Sequence, residues 1–198
     1  GVDTDYFQPD ASLPNPYPQG ALALVFTGAM DYWPNVDAVK WFAENVFPLV
    51  RQECPEARFY IVGSKPAEAV RALANDAVIV TGRVDDVRPY LQHATAAVAP
   101  MRIARGIQNK VLEGMAMAKP VIVSPQGLEG IDANPGTEVL LAKSAEEFSD
   151  CVLQVCAGAY PAMGKAARER VQADFVWEHN LPLVHGLAGV GIGHALGL

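Results

Sequence analysis

The sequence predicts a doubly wound α/β fold, a Rossmann-like parallel sheet of about six strands with helices on both faces. Three observations predict it. Short apolar runs lack polar alternation, as strands buried on both faces do. Helical segments follow them in regular alternation, which implies a parallel sheet covered on both faces. The junction after each of the first five strands carries glycine, and four of the five carry proline, so the chain is punctuated where strand turns into helix.

Residues 8–20 hold four prolines and no apolar periodicity, and read as a linker. The run "ALALVFTGAM" from Ala21 is the first strand. Pro34 opens an amphipathic helix to about Gln52, with Val36, Val39, Trp41, Phe42, Val46 and Leu49 at its apolar positions. "ARFYIVG" (57–63) and "AVIVTG" (77–82) are the second and third strands, separated by a short helix near 66–74. Asp85 or Asp86 caps a helix through His93. "AAVAP" (96–100), "PVIVS" (120–124) and "EVLLA" (138–142) are the remaining strands. A helix spans about 106–118, and further helices lie near 144–157, 161–173 and 176–189. The pattern leaves the strand order open.

The 198 residues are 51% hydrophobic and 19% charged, enough for a sizeable core and unlike a disordered chain. The net charge of −7 argues against a partner bound through bulk positive charge, nucleic acid above all. Cys54, Cys151 and Cys156 form no CxxC pair and leave an odd count, which points to a reducing compartment, the cytoplasm. No apolar run is long enough to span a bilayer. The opening "GVDTDYFQPD" reads as the middle of a longer chain.

In folds of this class ligands sit outside the carboxyl ends of the strands, so chemistry is sought in the strand-to-helix loops. The junction "APMRIARGIQNKVLEGMAMAKPVIVS" concentrates charge there. Arg102 and Arg105 precede the expected helix, Gly106 sits at its start and Lys110 lies in its first turn. Cations are unfavourable at a helix N-terminus unless an anion joins them. A diphosphate would convert the repulsion into charge-assisted hydrogen bonds, with Gly106 allowing close approach. Gly106, Lys110, Glu113 and Met117 share one helix face, and Ile107, Val111, Leu112 and Met115 another, toward the sheet. Lys110 and Glu113 then either look into one cleft, the carboxylate accepting from a ribose diol, or form an ordinary surface pair beside ordinary arginines.

The segment "GIQNKVLEGMAMAKPVIVSPQGLEGI" resembles the signature of family-4 retaining glycosyltransferases of the GT-B fold. "GVDTDYF" resembles that family's interdomain linker. "FTGAMDYWPNVDAVKWF", "FYIVGSKP" and "VIVTGRVDDVRPYLQHATAAVAP" are similar to successive segments of its C-terminal domain. Bacterial members that assemble exported polysaccharides are the most similar. The resemblance implies one half of a GT-B enzyme: a linker remnant at 1–20, a nucleotide-sugar-binding domain at 21–175, and a C-terminal helix and tail at 176–198 returning toward a missing N-terminal domain. It implies a nucleoside-diphosphate-sugar donor as substrate, no cofactor and no metal. The acceptor, a sugar or lipid-linked glycan, would be held by the absent half. That half would also provide any contact with the inner membrane surface. A non-catalytic nucleotide-binding regulatory or scaffold domain is the alternative.

Residue by residue, Glu113 matches the family glutamate that binds the donor ribose. Arg83 and Val84 fall in the loop whose backbone holds the nucleobase. Gly28 ends the first strand, where it permits close approach of a ligand or simply makes a turn. Gly127 and Leu128 would offer backbone N–H groups to the diphosphate. Two positions depart from the pattern. Arg105 stands where the family keeps a first glutamate, which touches the transferred sugar. The loop "GAMDYWPN" has no basic residue until Lys40, where the family keeps an Arg and a Lys for the diphosphate. Arg102, Arg105 and Lys110 would replace them from the other side of the cleft, with Arg105 and Lys110 assisting departure of the diphosphate.

Other signals carry less. "DTD" (3–5) precedes a Pro-rich stretch and no strand end, and His93, His179, His185 and His194 lack metal-ligand spacing. Trp33, Trp41 and Trp177 read as core or interface anchors, and Cys151 and Cys156 as buried thiols.

Overall fold

The computed structural model describes residues 1–174; the expected helix at 176–189, with Trp177 and three of the histidines, lies outside them. Six strands form one parallel sheet: β1 Leu22–Thr27, β2 Ala57–Val62, β3 Val78–Gly82, β4 Ala96–Ala99, β5 Val121–Val123 and β6 Leu140–Leu141. Their order is β3-β2-β1-β4-β5-β6, the doubly wound Rossmann arrangement, which reverses direction between β1 and β4. All five pairings are parallel, with β1 and β2 in register from Leu22 opposite Ala57 to Thr27 opposite Val62. The sixth strand is shorter than the run 138–142 predicts.

Two cores flank the sheet because successive strand residues face opposite sides. Leu24 and Phe26 enter one core with Phe42, Phe59 and Phe148; Ala23 and Val25 enter the other with Leu112, Met115 and Val171. Phe26, Phe42 and Phe59 have no exposed surface; burying each stabilises the fold by about 2–3 kcal/mol. The first face is covered by α1 (Trp33–Trp41), α2 (Phe47–Glu53) and α7 (Ala145–Cys156); the second carries α5 (Asn109–Ala116) and α8 (Met163–Asp174). Short helices α3 (Glu68–Arg71), α4 (Arg88–Gln92) and α6 (Pro125–Leu128) complete the connections.

The predicted helix 34–52 is a helical rod interrupted by a π turn at Phe42–Val46. Pro48 lacks an N–H, and the wider turn lets the Phe47 N–H donate to the Phe42 carbonyl.

Residues 1–20 contain neither helix nor extended strand, yet they lie against the domain. Val2 and Tyr17 are buried, His93 Nε2 bonds the Leu13 carbonyl at 2.7 Å, and Arg168 reaches the carbonyls of Thr4 and Phe7. No helix among the described residues is long and apolar enough to cross a membrane.

Candidate functional site

A cavity of about 650 Å³ opens at the carboxyl ends of β1, β2 and β3, beside the first turns of α5. It therefore sits at the point where the strand order reverses, the crevice such sheets use for ligands. Gly28 and Gly63 form its floor, Arg83, Val84 and Val87 one wall, and Asn109, Lys110 and Glu113 the other.

The floor depends on glycine. A Cβ on Gly63 would lie 1.6 Å from the Gly28 carbonyl oxygen, and one on Gly28 would lie 2.7 Å from Asn35 Nδ2. The Gly28 N–H donates to the Val62 carbonyl at 3.1 Å, extending the β1–β2 ladder into the loop. Asn35, 4% exposed, donates from Nδ2 to the Ala29 carbonyl and accepts from Lys110 Nζ at 3.1 Å. One amide thus ties the loop after β1 to the helix after β4.

Lys110 and Glu113 lie on one face of α5 and line the same cavity, as their spacing predicts. Burial pushes the Lys110 ammonium down to about 8, with the Glu113 charge opposing the shift. Burial pushes the Glu113 carboxyl up to about 6, with Lys110 opposing. The ammonium also stands 5.0 Å from the centre of the Phe26 ring, a cation–π contact. Both groups are held partly desolvated, where an approaching polar ligand meets strengthened electrostatics.

The loop after β3 is braced from outside. Asp86 accepts from the Arg88 backbone and forms a two-pronged pair with its guanidinium, which lies 4.1 Å from the Tyr6 ring centre. Asp86 is therefore a local brace whose carboxyl Arg88 holds below the usual range, and the helix begins at Arg88.

Other predicted positions fall elsewhere. Helix α5 begins at Asn109 after Gln108, which supplies no side-chain cap. Arg102, Arg105 and Gly106 are thus in the preceding loop and not at a helix N-terminus, and none of them lines the cavity. Gly106 has φ +71, a turn conformation, and not a helical one. Arg102 pairs with Asp37 of α1 through two hydrogen bonds of 3.0 and 2.6 Å. Arg105 is exposed. Ile107 is 44% exposed and does not reach the sheet, whereas Met117 is buried and does not face the cleft. The Gly127 N–H donates to Ser124 Oγ and the Leu128 N–H to the Ser124 carbonyl, so both are used within their own turn. Cys54, Cys151 and Cys156 are free. Among the described residues no three His, Cys, Asp or Glu side chains gather into a metal site.

Thr27, Ser64, Lys65, Asn109 and Asn35 belong to the site or its support and have no signature of their own in the sequence. Only their places in loops at strand ends signalled Thr27, Ser64 and Lys65.

Solved structures share this architecture. The sucrose-phosphate synthase of Thermosynechococcus elongatus superposes with a TM-score of 0.77 at 22% identity, over 98% of this chain and 52% of that one. HepE of Anabaena, solved with UDP and glucose, gives 0.73 at 12% identity, over 95% and 55%. The C-terminal domain of a group 1 glycosyl transferase (LpcC) from Francisella tularensis gives 0.70 at 15% identity, over 89% of this chain and all of that one. The chain spans about half the length of the first two. No curated protein matches it in sequence. The fold is thus one Rossmann-like half of the GT-B architecture. The family model for group 1 glycosyl transferases matches residues 21–157; the chain belongs to that family.

Proposed function

We propose that this chain binds the nucleoside-diphosphate-sugar donor of a retaining GT-B hexosyltransferase, as its C-terminal half. One observation carries the reading: a single face of α5 brings a half-buried lysine and a half-buried glutamate into the switch-point cavity, opposite a floor that only glycine can form. HepE, which shares the fold, was solved with UDP and with UDP-glucose, and that supports a nucleotide donor here. Glu113 accepts from the ribose hydroxyls, and the loop at Arg83 and Val84 takes the base. Lys110 stabilises the charge that develops on the departing diphosphate. No metal or cofactor is invoked. The acceptor, a sugar or lipid-linked glycan, is held by an N-terminal half on the cytoplasmic side of the membrane.

Ligand binding to the folded state raises its melting temperature by mass action. Thermal shift with UDP, ADP, GDP, dTDP and their hexose derivatives tests the reading. A rise with one nucleotide series is expected, and no shift with any of them sinks it. A nucleotide-binding domain without catalysis is favoured by one feature, Arg105 in place of an acid. Transfer by a chain that includes the N-terminal half separates the two.

A further inference from the structure

We infer that Lys65 is the cation that meets the phosphates from the open side of the cavity, an inference that rests on the donor-binding reading above. Lys65 lines the cavity and its side chain is exposed. It forms no hydrogen bond or ion pair among the described residues. Its backbone holds φ +52, the left-handed region that a residue with a Cβ avoids and glycine enters freely.

That conformation is imposed by the surroundings. The Met30 N–H donates to the Ser64 carbonyl at 2.9 Å, and the Ala67 N–H donates back to the Met30 carbonyl at 2.9 Å. Met30 is fully buried, so these two bonds clamp the loop on both sides of Lys65. Gly63, the residue before Ser64, is locked against the Gly28 carbonyl. Strain of this kind is held in place by its surroundings and gathers at ligand-binding loops. Glycine would fit this backbone without strain; a lysine adds an ammonium and nothing to the core.

The charge distribution says what the ammonium is for. Arg102 is engaged by Asp37, and Arg105 does not line the cavity. Lys110 is held by Asn35 and offset by Glu113. Of the cations lining the cavity, Lys65 and Arg83 have no such partner among the described residues, and they arise from the loops after β2 and β3. A diphosphate spanning from Lys110 toward these loops would be gripped from both sides.

The test uses Lys65→Gly, Lys65→Ala and Lys65→Arg, titrated calorimetrically with UDP, ADP, GDP and dTDP, their hexose derivatives, and the matching nucleosides. Loss of one charge-assisted contact weakens nucleoside diphosphate binding by about ten- to a hundredfold in the Gly and Ala variants. Lys65→Arg stays within about threefold, nucleoside binding is unchanged, and Lys65→Gly melts no lower than the parent. Unchanged diphosphate affinity in Lys65→Gly overturns the inference and leaves the donor-binding reading intact. An equal loss for nucleoside and diphosphate overturns it as well. A loss confined to the sugar-bearing nucleotides moves Lys65 to the sugar and overturns the phosphate assignment. A parent chain that binds none of the nucleotides removes both readings together.

Discussion

The carbonyl oxygen of Gly28 lies 1.6 Å from where a Cβ on Gly63 would stand. Two strand ends meet there with backbone against backbone, and the cavity floor is what their contact leaves open. A methyl group cannot be absorbed by a flexible neighbour, because the atom it meets is main chain. Gly63→Ala should therefore separate the ends of β1 and β2 and cost about 3 kcal/mol or more. Urea unfolding measures the loss, and nucleotide affinity falls with it. Unchanged stability would show that the two loops can part without penalty.

The Asp37–Arg102 pair predicts an asymmetry. The Asp37 side chain is 9% exposed, that of Arg102 52%. Removing the arginine strands a buried carboxylate, whereas removing the carboxylate frees a guanidinium that can turn to water. Arg102→Ala should cost about 2–3 kcal/mol and Asp37→Asn about 1 kcal/mol, with a double-mutant cycle giving a coupling above about 1 kcal/mol. Nucleotide affinity should hold in Arg102→Ala, since Arg102 lies outside the cavity lining.

Much of this frame was legible in the sequence, and what was not has a common cause. Strands such as Ala96–Ala99 and Val121–Val123 announce themselves because burial on both faces leaves no polar position. Lys110 and Glu113 were legible together because three residues on a helix is a local relationship. The start of α5 was misplaced by three residues because Gly106 takes a turn conformation and Gln108 lacks a capping hydroxyl or carboxylate. Asn35 and Lys65 were not legible as site partners. They join the α5 face only through the order β2-β1-β4, which no local pattern encodes. Arg102 looked like a phosphate ligand because its partner, Asp37, lies 65 positions away.

The shifted groups of α5 predict a pH dependence. The Glu113 carboxyl titrates near 6 in the fold and near 4.5 unfolded. Between those values the folded chain keeps a proton that the unfolded chain has released. Stability therefore falls as pH rises through this window, by about 2 kcal/mol from this group. Lys110 acts on the alkaline side: between about 8 and 10.5 the unfolded chain holds the extra proton, so stability rises with pH. Denaturant unfolding from pH 4.5 to 7 should show the first slope in the parent and lose it in Glu113→Gln. Sugar-nucleotide affinity should move the other way over the same range. In the proposed donor site the ionised carboxylate would accept both ribose hydroxyls, and a diphosphate esterified at both ends stays ionised throughout.

Arg168 holds the first residues of the chain to the domain. From α8 its guanidinium donates to the Phe7 carbonyl at 2.9 Å, the Ala116 carbonyl at 2.8 Å and the Thr4 carbonyl at 3.2 Å. The Ala116 carbonyl is at the end of α5, where helical partners run out, and those of Thr4 and Phe7 belong to a segment with no sheet of its own. One side chain thus satisfies three otherwise orphaned acceptors. Burial pulls its pKa down, so the charge is partly desolvated and its bonds are correspondingly strong. Arg168→Ala should destabilise the domain by about 2–4 kcal/mol, and Arg168→Lys by nearly as much, because an ammonium cannot span three diverging carbonyls. Hydrogen exchange should localise the effect. Phe7, whose N–H donates to the Asp3 carbonyl, should lose protection with its neighbours, while the amides of β1 and β4 keep theirs. Uniform loss of protection across the sheet would instead make Arg168 a core element and not a tether.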